Sequence, residues 1–308
     1  PRIGLVLSGG GARGLAHVGV IQELEEAGFH IDRIAGTSMG AIVAAPYATG
    51  MGGAELADAM YENCVRRPFT DWHPSLHSLA RGSRLARAFS ARLGADTVIE
   101  GLPRQLRVVS VDLVSRTRQV HDRGLLAEAA MASARLPVLF PAMPRDDGRL
   151  LVDGGIMDNL PVSTLVERDE GPLIAVAIGG GGSDRRRSGP PRIPTIGESL
   201  MRTLMISSGG AIEAARTQGA WVICPPTMGV GLLEFHQLDT MIRAGRAAAR
   251  ALLDATGGDL GQLGQLGLLG QQVLTDPAVG NSPEERPPGS TPGVTPGQSP
   301  LPSTVGAP

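Results

Sequence analysis

Lysine is missing from this chain: all 28 of its basic residues are arginine. A P-loop needs a lysine to reach the terminal phosphates of a nucleotide, so that chemistry is excluded. Cysteine is almost as scarce. Cys64 and Cys224 stand far apart and form no C-x-x-C, so they read as fillers of apolar sites in a reducing compartment, not as a disulfide or metal ligands. An excess of either charge is also lacking. The formal net charge is −2, which leaves no electrostatic footprint for nucleic acid. No apolar run approaches the roughly 18–20 residues that a membrane span requires. No signal peptide is visible, and a cytoplasmic location is expected. The chain opens on Pro1 without a methionine and enters its first strand at once, which reads as a fragment cut from a longer protein.

The 308 residues suffice for one large α/β domain or two small ones. Ile3 to Leu7 is a short apolar run before glycines, the mark of a buried parallel strand. Leu15, Val18, Ile21 and Leu24 then recur at helical spacing, and Gly28 ends that helix. A second strand is read over Arg33–Ala35, followed by a small-residue helix from Ala41. This order starts a doubly wound α/β sheet. Further helices are predicted over 53–65, 84–93, 125–134, 196–217 and 237–255. Further strands are predicted over 106–112, 118–121, 149–152, 173–178 and 220–223, with a loop from Pro137 to Pro144.

Gly179 to Pro194 reads as a polar mobile loop. Its arginines 185–187 form a solvated face or, on a sharper reading, a peripheral contact for an acidic membrane surface. From residue 257 the composition turns to Gly, Gln, Pro, Ser and Thr, too poor in apolar side chains to offset the entropy of ordering. The folded domain is therefore expected over 1–256, with a disordered tail over 257–308.

Two glycine motifs carry the chemistry. Gly36-Thr37-Ser38-Met39-Gly40 is a G-x-S-x-G elbow between a strand and a helix, with Gly36 22 residues after Gly14. Glycines flank such a serine because a Cβ there would strike neighbouring backbone, and the helix start behind it favours a developing anion. The run Gly9-Gly10-Gly11-Ala12-Arg13-Gly14 also fits the dinucleotide pattern G-x-G-x-x-G. A dinucleotide site wants an acid at the end of the second strand to hold the ribose. That place holds Gly36-Thr37-Ser38, and Asp32 is read as preceding the strand.

The run serves better as an oxyanion hole of unobstructed N–H groups, each worth about 2.7–4 kcal/mol to a transition state. Arg13 either braces that loop, adds positive charge near the anion, or simply starts a surface helix. For the base, Asp153 ends the apolar strand Leu150-Leu151-Val152 and precedes Gly154 and Gly155, at the sheet edge where α/β sites form. His236 is the histidine to consider in the order Ser, Asp, His, yet no glycine or loop signal presents it to a site.

The three segments Gly9–Gly14, Gly36–Gly40 and Asp153–Gly155, in that order, resemble the patatin-like phospholipases. Within them the likeness is to the catalytic domain of neuropathy target esterase and its bacterial relatives, over roughly residues 2–255. Supporting stretches are Gly14–Gly28, Ala132-Ser133 with Phe140-Pro141, Asp153–Pro161 and Leu232–Ala244. Asn159 and Pro161 match a trailing N-x-P, whereas Asp158 stands where relatives often carry another Asn.

The resemblance implies a three-layer α/β/α fold around a mainly parallel sheet. It implies Ser38 as nucleophile, Asp153 as its base, and Gly9–Gly14 as the oxyanion hole. No metal or cofactor is implied, and the substrate is a lipid ester. Lysophospholipase activity is the first expectation. Acylglycerol lipase or broad carboxylesterase activity is the alternative, with a dinucleotide-binding oxidoreductase and a catalytically silent binding module as further readings. Relatives often carry cyclic-nucleotide-binding domains ahead of the esterase domain, so an upstream regulatory domain is expected beyond Pro1.

Overall fold

Alternation along the first strand sets the layering. In β1 (Arg2–Leu7), Ile3, Leu5 and Leu7 point into one hydrophobic core and Val6 into another, as the period of two demands. The same split separates Ile34 from Ala35 on β2 (His30–Thr37), and Ile174 and Val176 from Leu173 and Ala175 on β7 (Leu173–Val176). A sheet with two apolar faces needs cover on both. One face carries α1 (Ala16–Glu26), α2 (Met39–Ala48) and α7 (Leu238–Ala255). The other carries α6 (Ser208–Thr217), through Ala215, and the segment Leu160–Leu165. The fold is therefore a three-layer α/β/α sandwich.

This computed structural model describes residues 2–66, 71–166, 171–179, 193, 208–227 and 229–258. They belong to a compact unit that spans Pro1–Gln271. The remaining elements are α3 (Gly53–Met60), α4 (Ser83–Leu93), β3 (Gln105–Asp112), β4 (Thr117–His121), α5 (Leu126–Ser133), β5 (Met143–Pro144), β6 (Leu150–Asp153) and β8 (Trp221–Ile223). Strands β8, β7, β1, β2 and β3 lie side by side and run parallel, whereas β4 and β6 pair antiparallel with β3, and β5 antiparallel with β6.

The register around β3 positions the site. β4 takes one edge of β3 over Val108–Asp112. On the other edge, β2 pairs as far as Thr37↔Val109, and β6 begins at Asp153↔Ser110. Two strands distant in sequence thus meet end to end along one edge, Thr37 beside Asp153.

Several boundaries differ from expectation. β2 starts at His30, so Asp32 lies near the beginning of the strand instead of ahead of it. Polar His30 and Asp32 hide its start, and beside Asp32 the buried Arg33 donates to the Gly171 carbonyl at 2.7 Å. The helix read over 53–65 is α-helical only to Met60 and continues as a π turn over Tyr61–Arg66. β7 ends at Val176, and the 137–144 loop contains the two-residue β5. Of the helix read over 196–217, the described part is Ser208–Thr217. Residues 196–207, the arginines 185–187 and the tail from 259 lie outside the described residues.

Candidate active site

Ser38 joins β2 to α2 at φ +54° and ψ −122°, a backbone state that costs a non-glycine residue about 1–3 kcal/mol. The turn closes only because its flanks are bare. A Cβ on Gly40 would lie 2.2 Å from the Leu7 carbonyl oxygen, and one on Gly36 would lie 2.5 Å from the Gly40 carbonyl carbon. The Ser38 amide donates to Ser133 Oγ at 2.8 Å, and Ser133 in turn donates to the Val109 carbonyl at 2.6 Å. A fully buried hydroxyl on α5 therefore ties the elbow to β3.

Ser38 Oγ donates to Asp153 Oδ2 at 2.6 Å, the short length of a charge-assisted O–H···O⁻ bond. The other carboxylate oxygen, Oδ1, accepts the Gly155 amide at 2.8 Å, and the Asp153 amide donates to the Arg135 carbonyl at 2.9 Å. Gly154 packs against β3, where a Cβ would lie 2.3 Å from the Val109 carbonyl. Asp153 is only 2% exposed. Burial pushes its carboxyl up from 3.8 to about 6, against the lowering pull of the Ser38 and Gly155 hydrogen bonds. It is thus a stronger base than an ordinary aspartate.

The glycine run follows the end of β1 and continues into the 3₁₀ turn Gly11–Leu15. Its six residues take distinct places. The Gly9 amide is held by Asn159, at 3.2 Å from the backbone carbonyl and 3.1 Å from Oδ1. The Ala12 amide is held by the Leu232 carbonyl at 2.8 Å. The amides of Gly10 and Gly11 have no acceptor among the described residues, which leaves two adjacent donors at the start of the turn. Gly14 packs on Met39, the first residue of α2. A Cβ on Gly9 would stand 3.0 Å from that of Ser38, so the loop lies directly against the elbow. The Arg13 guanidinium reaches the Val230 carbonyl at 2.5 Å. It braces the loop against segment 230–232.

Two polar side chains behind the loop, His17 and Ser8, fix its peptides. His17 Nε2 contacts the Ser8 carbonyl at 2.8 Å. Ser8 Oγ donates to the Gly9 carbonyl at 3.1 Å and accepts the Ile178 amide at 2.8 Å. His17 is fully buried, and desolvation brings its pKa down to about 4, so the ring is neutral near pH 7 and serves as a donor. Neither His17 nor Ser8 is singled out by the sequence, and Ser133 and Asn159 stand out only as parts of a resemblance. His236 is exposed on the 3₁₀ turn Phe235–Gln237 and makes no hydrogen bond to Ser38 or Asp153. Among the described residues no three His, Cys, Asp or Glu side chains are grouped to hold a metal ion.

The patatin-like phospholipase family model matches residues 5–166, a span that holds the glycine loop, the elbow and Asp153. The chain belongs to the patatin-like phospholipase family. An uncharacterized NTE family protein of Mycobacterium tuberculosis is 36% identical to it over 280 residues, covering 82% of this chain and 46% of that protein. Lysophospholipase NTE1 of Candida glabrata is 32% identical over 279 residues, covering 82% of this chain and 16% of that protein. The patatin-like chain thus spans less than half the length of these relatives. Among solved structures, VipD from Legionella pneumophila shares the fold, with a TM-score of 0.51 at 16% identity over 82% of this chain and 66% of that one. No described helix of the patatin-like chain is long and apolar enough to cross a membrane.

Proposed function

We propose that this chain hydrolyses carboxylic esters of lipids, acting as a lysophospholipase, through a Ser38–Asp153 dyad. The observation that carries the reading is the 2.6 Å hydrogen bond from Ser38 Oγ to a buried carboxylate. Family membership and the lysophospholipase names of relatives support the substrate class.

In this reading Asp153 accepts the hydroxyl proton as Ser38 attacks the ester carbonyl, and returns it to the departing alcohol. Water then attacks the acyl-enzyme with the same carboxylate as base. Even at about 6, the pKa of Asp153 is far below that of a serine hydroxyl, so transfer must be concerted with stabilisation of the oxyanion. The open amides of Gly10 and Gly11, beside the N-terminus of α2, are the donors for it. The dinucleotide reading lacks its ribose acid, since Asp32 lies near the start of β2 and not at its end.

A fluorophosphonate probe tests the dyad. Labelling maps to Ser38, vanishes in Ser38→Ala, and slows at least about a hundredfold in Asp153→Asn, the scale of a general base. Equal labelling of Asp153→Asn and wild type would remove the proposed base. A panel of lysophospholipids, diacyl phospholipids and acylglycerols then separates lysophospholipase from lipase activity, with the fastest turnover expected on lysophospholipid.

A further inference from the structure

We propose that the loop Trp72–Leu79 and the start of α4 form a docking surface for an anionic lipid bilayer, seating the active site at the membrane. Such docking rests on the lipid-ester hydrolysis proposed above and adds to it the surface by which the chain meets its substrate.

The loop exposes large apolar side chains where burial would be expected. Leu76 is fully exposed, Trp72 is 57% exposed, and Leu79 also faces solvent. Val138 joins them at φ +72°, a conformation that is an outlier for a β-branched residue, with its side chain half exposed. Strain that holds a valine outward gains nothing for the core and points to a use outside it. The patch is one construction, because the Leu79 and Ala80 amides donate to the Val138 and Leu139 carbonyls at 2.8 and 2.9 Å.

The loop is also closed and built. Asp71 gathers the amides of Gly82, Ser83 and Arg84 and the Ser83 hydroxyl at its base, which spends its charge on capping α4. From Trp72 to Ala95 the chain carries Arg81, Arg84, Arg87 and Arg92 and no Asp or Glu. All four arginines are exposed, while Leu85, Phe89 and Leu93 bury the opposite stripe of α4. Arg84 sits in the first turn of α4, where the helix dipole disfavours a cation, so its place is not explained by helix stability. An aromatic, protruding leucines and arginines without acidic partners among the described residues are the chemistry of an interfacial anchor on anionic lipid. The surface also lies beside the site. The Arg135 guanidinium donates to the Arg81 carbonyl at 3.0 Å, and the Arg135 carbonyl accepts the Asp153 amide.

The test uses the full chain as Ser38→Ala, so vesicles stay intact whether or not the protein is a hydrolase. Co-sedimentation is measured with vesicles of phosphatidylcholine alone and mixed with phosphatidylglycerol. Binding is expected only to the mixed vesicles, and to weaken with salt. Arg84→Gln and Arg87→Gln should each lower partitioning about fivefold. Leu76→Asp, at a fully exposed position that folding does not need, should lower it at least about tenfold. In a Trp221→Phe background, Trp72 emission should shift blue on adding mixed vesicles.

In the active enzyme, Leu76→Asp should leave the rate on a short soluble ester unchanged while slowing vesicle lipid. Equal binding to both vesicle types, or binding unmoved by Leu76→Asp, would overturn the proposal. So would a Leu76→Asp protein that loses a dimer in ultracentrifugation yet binds vesicles as before, since the face would then serve self-association. Loss of hydrolysis with vesicle binding intact would fault the enzymatic reading alone.

Discussion

Ser38 keeps its unfavourable φ because Ser133 holds its amide while Asp153 holds its hydroxyl. Ser133→Ala leaves the Ser38 amide without its acceptor and the Val109 carbonyl without its donor. A loss of about 1–3 kcal/mol is expected, read as a lower Tm together with slower Ser38 labelling. Two buried titrating groups around the site, Asp153 and His17, act on stability in opposite directions. Asp153 binds its proton more tightly folded than unfolded, so its contribution is full below pH 3.8 and is lost as pH rises through about 6. Asp153→Asn should therefore melt above wild type at pH 8, with the gap closing toward pH 4. With Asp153 as the base proposed above, kcat/KM should rise with pH through about 6.

His17 runs the other way. Its folded pKa of about 4 lies below the ordinary 6.5, so stability falls as pH drops through that window. A His17→Phe chain should show a shallower loss of its urea midpoint between pH 6.5 and 4. These supports were illegible beforehand, since a lone hydroxyl or imidazole in a helix carries no pattern until tertiary structure gives it a partner. The dyad was legible because glycines mark both turns.

At the scale of elements, α1 and α7 touch backbone to backbone. A Cβ on Gly19 would lie 1.9 Å from the Ile242 carbonyl oxygen, and one on Gly245 equally close to that of Ala16. Alanine is the better helix former by about 1 kcal/mol, but overpacking costs about 1–3 kcal/mol and here strikes backbone on both sides. Gly245→Ala should therefore lower Tm, the reverse of its propensity. Buried parallel strands such as β1 and β7 could be read from their apolar runs. The first three residues of β2 could not, because His30 and Asp32 gave them the composition of a loop. The π turn Tyr61–Arg66 was equally hidden, since Cys64 continues the apolar helical spacing.

At the scale of the molecule, the compact unit spans Pro1–Gln271, and a chain ending there should keep its Tm and its Ser38 labelling rate. The meeting of β2 and β6 on one edge of β3 has a consequence in time. Ser38 and Asp153 are separated by 115 residues of chain, and synthesis delivers the serine first. Until β6 has been made and has docked, Ser38 lacks the carboxylate that accepts its hydroxyl and the strand end that completes the elbow. A half-synthesised chain, or one clipped ahead of β6, would thus carry the serine elbow without the carboxylate that Ser38 meets in the folded chain.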